Sequence, residues 1–444
     1  MEKSYKPSKY NMFMEVGGKK LVFNALRRSL AIWDEEDTAV YESRGANGGG
    51  QSLDELVQGG FLIDEDADEL RSLREVYSML RFGRHNMAMT IAPTLMCNFA
   101  CDYCYQGNGA GAQTMSEAVF SRLLDFLRSR KSLRRLHIAW YGGEPLLEKE
   151  LICGMSDELM ALCAEKQTAY SASMVTNGYF LSGDTAERLA GKMVRSIQVT
   201  LDGSRETHDA RRVKKDGSPT FDRILGNIKE ALERPGVNIV VRVNIDRRNS
   251  EKIHALLDCL SAEGLGGREN FGVYFAPVDV CSAECTRIAG SVLTRAEYAE
   301  TEMALLRRAV DLELARPQLP GSLMGMCAAI KPNGFVVLPN GDVHKCWNTV
   351  SDPALRVCTV DGLEEAAEKT EGEWLSWSPF MLQNCQECEI LPLCAGACAN
   401  RAMLGNAEPC ISLKENIREK IMLYALHGGA ATEQDYRRFL KTGK

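Results

Sequence analysis

The rhythm of apolar and polar residues changes twice along the chain, which divides it into three stretches. From position 12 the run MFMEVGGKKLVFNAL alternates apolar and polar residues on either side of Gly17-Gly18. A period of two marks half-buried strands, and a Gly-Gly pair between two such runs marks a hairpin turn. A glycine-rich break from Gly45 to Gly50 follows, then SLDELVQGGFLID and the charged amphipathic segment DEDADELRSLREVYSMLR. Residues 1–86 are therefore expected to form a small winged-helix-like α+β domain. They carry no cysteine and no cluster of reactive side chains, so a binding role is expected.

From Met87 the pattern alternates between β-rich apolar runs and amphipathic helices. The strand candidates are MAMTIAPT, LHIAWYGG, YSASMVTNG, SIQVTLDG, NIVVRVNID and FGVYFAPV. SEAVFSRLLDFLRSR, GDTAERLAGKM and FDRILGNIKEALE lie between them with helical spacing. Six such units predict an α/β fold with a parallel sheet, curled into a partial (β/α)6 TIM-like barrel over residues 87–305. In such sheets the chemistry collects at the carboxyl ends of the strands. Past Pro320 the regularity fades into a cysteine-rich segment and a helix near Leu413–Leu426, so 306–444 is expected to be a third unit.

Length and charge narrow the classes. A chain of 444 residues can hold two or three domains. The net charge of -7 leaves no basic footprint, so nucleic acid is not an expected partner. No apolar run approaches the roughly 18 residues a membrane span needs. The start, MEKSYKPSKYN, has no apolar signal core, and a cytoplasmic location is expected. Sixteen cysteines in a large chain without an export signal then suggest metal binding or catalysis rather than a disulfide scaffold. Cys153, Cys163 and Cys259 stand alone in apolar or helical surroundings and read as small core residues.

The first array is APTLMCNFACDYCYQG, directly after the first barrel strand. Cys97, Cys101 and Cys104 form C-x3-C-x2-C, with Tyr103 before the last cysteine. Three thiolates on a short loop can hold three corners of a cubic cluster and leave the fourth iron to a small chelator. Structural zinc is the competing reading, but it wants four ligands and no fourth lies nearby.

This spacing, with its aromatic residue, resembles the radical S-adenosylmethionine (SAM) superfamily. The resemblance implies a [4Fe-4S] cluster on the three cysteines, whose open iron chelates SAM. Reductive cleavage of SAM then gives a 5′-deoxyadenosyl radical that takes a hydrogen atom from the substrate. WYGGEP at the second strand end is similar to the family's GGE motif. Gly142, Gly143 and Glu144 are thereby implied near the cofactor, with Glu144 accepting from its ammonium group. Tyr103, Asn177 in VTNG, Thr200 in VTLDG and Arg242 in VRVNID are implied cofactor contacts in the same way. Strand capping or surface pairing is the alternative for the last three. ETHDARR, Glu206 to Arg212, resembles a family stretch near the cofactor and receives no roles.

The second array begins at Cys327, followed by thirteen residues, Gly341, four more residues and Cys346. NCQECEILPLCAGAC then supplies Cys385, Cys388, Cys394 and Cys398, and Cys410 follows. Seven cysteines in this order resemble the SPASM extension of the superfamily; zinc is again the alternative. The resemblance implies an outer auxiliary [4Fe-4S] cluster on Cys385, Cys388, Cys394 and Cys410. It implies an inner one on Cys327, Cys346 and Cys398, three clusters in all. A fourth inner ligand is missing upstream, where the chain reads PGSLMGM. Either an inner iron is open, or Cys281, Cys285 or Cys358 completes the set.

SPASM enzymes mostly modify ribosomally made peptides. The N-terminal unit resembles the peptide-recognition element that takes up a leader as an added strand. A precursor peptide and a flavodoxin or ferredoxin-type reductant are thus implied partners. Thioether cross-linking from a substrate cysteine is the leading expectation, with carbon–carbon cross-linking close behind. Anaerobic sulfatase maturases, which oxidise cysteine or serine, carry an aspartate where Trp347 follows Cys346 here, so that activity is less expected. A non-catalytic iron–sulfur or zinc scaffold is the contrasting class. His137, His208 and His344 could act as acid–base groups or as structural ones.

Overall fold

The computed structural model describes residues 3–46, 50–106, 113–321, 327–369, 372–403 and 409–443. Part of the glycine-rich break, and most of the PGSLMGM stretch, lie outside the described residues.

The chain opens with strands β1 (Tyr5–Pro7), β2 (Asn11–Val16), β3 (Lys19–Asn24) and β4 (Ser29–Trp33). Helices α1 (Glu35–Glu42) and α2 (Gln51–Gln58), strand β5 (Leu62–Asp64) and helix α3 (Glu69–Arg81) follow. The expected hairpin is β2–β3, and Gly17 and Gly18 take φ +55° and +78° at its turn. Two left-handed residues match the twist of a tight hairpin, and glycine adopts them without a Cβ penalty. Strand β4 extends the pair into a three-stranded antiparallel meander, a strand that the alternation alone did not single out. Asp34 then stops β4 and starts α1 through a reciprocal capping box with Asp37.

This unit does not keep its core to itself. Met12, Met14 and Leu21 on the meander pack in one cluster with Ile417, Ile421, Tyr436 and Phe439. Those four lie on the helices Leu413–His427 and Glu433–Thr442. The first and last parts of the chain therefore share one apolar layer.

The middle follows the expected alternation: β6 (Asn86–Ile91), α4 (Glu117–Ser129), β7 (Arg135–Trp140), α5 (Lys149–Glu165), β8 (Ala169–Thr176), α6 (Gly183–Gly191) and β9 (Val194–Thr200). It continues with α7 (Arg205–Arg211), α8 (Phe221–Leu232), β10 (Asn238–Ile245), α9 (Ile253–Ala262), β11 (Phe271–Pro277) and α10 (Arg295–Asp311). All five junctions between the six strands are parallel and sequential, the α/β partial barrel anticipated from the pattern. Ile138, Val199, Val241 and Ile245 are fully buried against Leu123, Leu159, Ile228 and Leu256 from the helices. Losing one such side chain to alanine costs about 2–5 kcal/mol, so the sheet edge above this core is firmly held.

The sheet also runs past the expected boundary at 305. β12 (Gly334–Val337), from the cysteine-rich stretch, pairs parallel with β6, and β13 (Asp342–His344) and β14 (Cys358–Thr359) continue antiparallel. Cys346 is thereby carried on the sheet that holds the first array. No described helix is long and apolar enough to cross a membrane.

Candidate active site

Parallel strands put all six carboxyl ends on one edge, and the loop after β6 folds over it. That loop is held from two sides. On one side Gly143 N donates to Thr94 O (3.1 Å) and Glu144 N to Met96 O (2.8 Å). On the other, Ala100 N donates to Val213 O (2.7 Å) and Lys215 N to Asn98 O (3.0 Å). A Cβ on Gly143 would lie 2.1 Å from Met96 O, and one on Gly142 would lie 2.3 Å from Thr94 O. The two glycines are thus required so that the loops can meet.

A cavity of about 650 Å³ opens beneath the loop. Cys97, Cys101 and Cys104 line it, together with Tyr103, Gly142, Gly143, Asn177, Thr200 and Arg242. Burial pushes the Cys97 thiol up to about 11 and Cys101 up to about 12. Such thiols become thiolates at neutral pH only where a cation or cluster displaces the proton. Three sulfur donors facing one roomy cavity fit a cubane with a free corner.

Glu144 sits where two strand ends meet. It is 0 % exposed and is not part of the cavity wall. It accepts from Thr176 Oγ1 (2.6 Å), Leu146 N (2.9 Å) and Asn177 N (2.7 Å). Burial raises its pKa, while these donors oppose the rise. The carboxylate ties the end of β7 to the end of β8. Asn177 in turn donates from Nδ2 to Asn98 Oδ1 (2.8 Å) and accepts from Tyr179 N (2.9 Å), bracing the loop from below.

Tyr103 is anchored at its hydroxyl by Asp202, by Arg212 Nη1 (2.6 Å) and by Asn244 Nδ2 (3.3 Å). Burial works against the charge of Arg212, but Cys101, Tyr103 and Asp202 outweigh it and keep the guanidinium protonated. Arg212, the last residue of the unassigned ETHDARR stretch, is therefore a fixed positive charge on the cavity wall that sequence reasoning left without a role. Its signal was present only as a resemblance. Arg242 hydrogen-bonds Asn244 Oδ1 (2.7 Å) and lies over the Tyr274 ring.

The cavity also takes in Cys281, Cys285 and Trp347. Trp347 meets Tyr141 edge-on with ring centroids 4.2 Å apart, and Tyr141 Oη lies 2.6 Å from Tyr105 Oη. Since Trp347 follows Cys346, that cysteine is next in the chain to a residue of the cavity wall. Cys327, Cys346 and Cys398 lie within electrostatic reach of one another, and burial pushes Cys346 up to about 12. Cys358 sits on β14 beside Lys345, Lys369 and Arg356. Cys385, Cys388, Cys394 and Cys410 surround a second cavity of about 410 Å³. Burial raises Cys394 to about 12, with the other three nearby. Among the described residues no three His, Cys, Asp or Glu side chains close around one point as a single-ion site. The thiols instead face spaces that suit a larger group. None of the three candidate histidines lines the cavity. His137 pairs with the Ser171 and Ser173 hydroxyls, His208 with Asp202 N, and His344 with Thr349.

Comparison with known proteins agrees with this geometry: residues 91–260 match the radical SAM superfamily. Over that stretch the barrel is similar to radical SAM domains. A probable GTP 3′,8-cyclase of Saccharolobus islandicus is 29% identical over 202 residues, which is 45% of this chain and 60% of that protein. Fe-coproporphyrin III synthase of Methanosarcina barkeri is 30% identical over 206 residues, 45% of this chain and 48% of the other. The chain thus spans less than two thirds of the length of these curated relatives. Among solved structures, anSMEcpe with bound AdoMet and Cp18Cys peptide superposes with a TM-score of 0.59 at 17% identity, covering 77% of this chain and 97% of that one. Streptococcus suis SuiB bound to precursor peptide SuiA gives 0.53 at 14% identity, covering 92% and 98%. At these identities the likeness is one of fold, and with SuiB it extends well beyond the barrel.

Proposed function

We propose that the chain is a SPASM-type radical SAM maturase that modifies a ribosomally made peptide. The observation that carries this reading is the convergence of Cys97, Cys101 and Cys104 on one cavity at the carboxyl edge of the parallel sheet. Those thiolates would hold three irons of a [4Fe-4S] cluster and leave one for the amino and carboxylate groups of SAM. When bound, cluster and SAM together supply one-electron cleavage and a hydrogen-abstracting carbon radical.

The chain's own residues position and seclude. Gly142 and Gly143 let the strand-end loop press on the cysteine loop, so the three sulfurs are fixed before the cofactor arrives. Asn177, Thr200 and Arg242 offer polar groups along one wall, and Arg212 places a charge beside Cys101. Cys327, Cys346 and Cys398 would hold an inner auxiliary cluster near the cavity, and Cys385, Cys388, Cys394 and Cys410 an outer one. A flavodoxin or ferredoxin-type protein would deliver electrons.

The peptide assignment draws on two supports. SuiB, similar over 92% of this chain, is seen with a precursor peptide. Strand β4 ends the N-terminal meander, which leaves an edge where a leader could add a strand. Within this class, thioether formation from a substrate cysteine is the preferred reaction and carbon–carbon cross-linking the second. Trp347 beside Cys346 argues against oxidation of the sulfatase-maturase kind.

Anaerobic reconstitution tests the reading. The expected protein binds about twelve irons, four for each [4Fe-4S] cluster, and releases 5′-deoxyadenosine from SAM with dithionite. Replacing Cys97, Cys101 and Cys104 by alanine should abolish that release. A protein that takes up zinc alone, or cleaves SAM without the three cysteines, would overturn it.

A further inference from the structure

Two thiols on the cavity wall belong to neither cysteine array. Cys281 and Cys285 follow β11, where a turn closed by Cys285 N to Ser282 O (3.1 Å) brings them together. The two thiols are hydrogen-bonded to each other. Cys285 is only 1 % exposed, and the pair packs with Val278 and Ile288 against Tyr103 and Tyr105, the residues that flank Cys104. The Ser282 hydroxyl donates to Tyr105 O (3.0 Å) and lies 3.6 Å from the Cys285 sulfur, which fixes the turn to the first cysteine loop. Burial, with Cys285 and Asp279 alongside, raises the Cys281 thiol, so it keeps its proton at neutral pH. Both thiols line the cavity that Cys97, Cys101 and Cys104 share, so a thiol here can meet a radical formed in it. A thiol is a good hydrogen-atom donor, because S–H is weaker than most C–H bonds.

We propose that Cys281, backed by Cys285, is a hydrogen-atom donor that quenches carbon radicals formed in this cavity. The proposal rests on the radical SAM reading above and adds a second outcome to it. A substrate carbon that has lost a hydrogen atom recovers one from Cys281: the S–H bond breaks, a C–H bond forms, and a sulfur radical is left. One electron from the low-potential reductant and one proton from water restore the thiol. The substrate then keeps its mass and carries one solvent-derived hydrogen, in inverted configuration where the thiols face the opposite side from abstraction. Cross-linking would instead remove two hydrogens.

The test needs no identified peptide. Reconstituted full-length protein is given SAM and dithionite in deuterated buffer without added thiol, and the released 5′-deoxyadenosine is analysed by mass spectrometry. Thiols exchange with solvent, so the wild type should yield mostly monodeuterated product. C281A/C285A should lower the deuterated fraction at least tenfold, C281S should resemble it, and C259A on α9 should change nothing. Iron content and cluster spectra of the double variant should match the wild type. Unchanged deuteration in the variants overturns the proposal alone. Loss of about one cluster's iron in C281A/C285A overturns it too, by making the pair ligands. Absence of 5′-deoxyadenosine from the wild type removes the underlying reading, and this proposal with it.

Discussion

The two cysteine-bearing regions are built by opposite strategies. The loop at 97–104 has little structure of its own and is clamped between the GGE loop, Asn177 and the 211–215 segment. The Cys385–Cys398 segment is a run of short helical turns, Gln383–Gln386 and Leu391–Cys394, stapled by local bonds such as Cys388 N to Cys385 O (3.1 Å) and Ala397 N to Cys394 O (2.7 Å). The first site inherits its shape from the barrel edge, whereas the second makes its own. Disturbing distant residues should therefore damage the first array and spare the second.

The largest expected effect comes from Arg212→Met. The guanidinium is buried between Tyr103 and Asp202, and removing it strands a buried carboxylate 3.9 Å away. Breaking a buried pair typically costs about 3–5 kcal/mol. Urea unfolding should register that loss, and under the proposed function iron reconstituted at the first array should fall while iron at the second persists. Equal loss from all arrays would erase the distinction between the regions.

Gly143→Ala comes next. Its Cβ would meet the backbone carbonyls of Met96 and Leu95 at 2.1 and 2.5 Å, and backbone cannot swing aside. About 3 kcal/mol, the upper end for overpacking, is expected, with weakened SAM binding by calorimetry. Gly396→Ala is the matched change in the other region. There φ is +82° and the new Cβ would touch the side chains of Pro379 and Trp377 at 2.6 Å. Side chains can shift, so the left-handed penalty of about 1–2 kcal/mol should dominate. If the Gly396 variant proves the costlier one, the claim that the first loop is clamped more rigidly fails.

This contrast also explains what the sequence could and could not convey. Local spacing was legible: Cys97, Cys101 and Cys104, the hairpin at Gly17-Gly18, and six strands with their helices all follow from short windows. Features that depend on distant partners were not. Ser29–Trp33 is too short to declare itself a strand, and it becomes one by pairing with β3. Gly334–Val337 joins the barrel sheet only because β6 offers an edge. The GGE motif does not say which groups hold Glu144. Thr176 and Asn177, more than thirty residues on, donate to it and tie two strand ends together.

The smallest effect is a pH dependence that belongs to the first region. His208 is fully buried next to the Asp202 backbone, and burial together with Arg212 and Arg211 depresses its pKa well below the ordinary value. Unfolded chains bind a proton at His208 near pH 6.5, while the folded protein does not. Below that pH the unfolded state gains protons, so stability falls by about 1.4 kcal/mol per pH unit for this one group. Above it the contribution is complete and flat. Urea titrations of wild type and His208→Gln between pH 7.5 and about 5.5 should diverge in slope by that amount, with the variant the flatter of the two. Because His208 stands behind the 211–215 clamp, acidification should release iron from the first array before the others. Parallel slopes would mean that His208 meets solvent in the folded protein, and that the clamp over the first cysteine loop opens as readily as the turns around the second array.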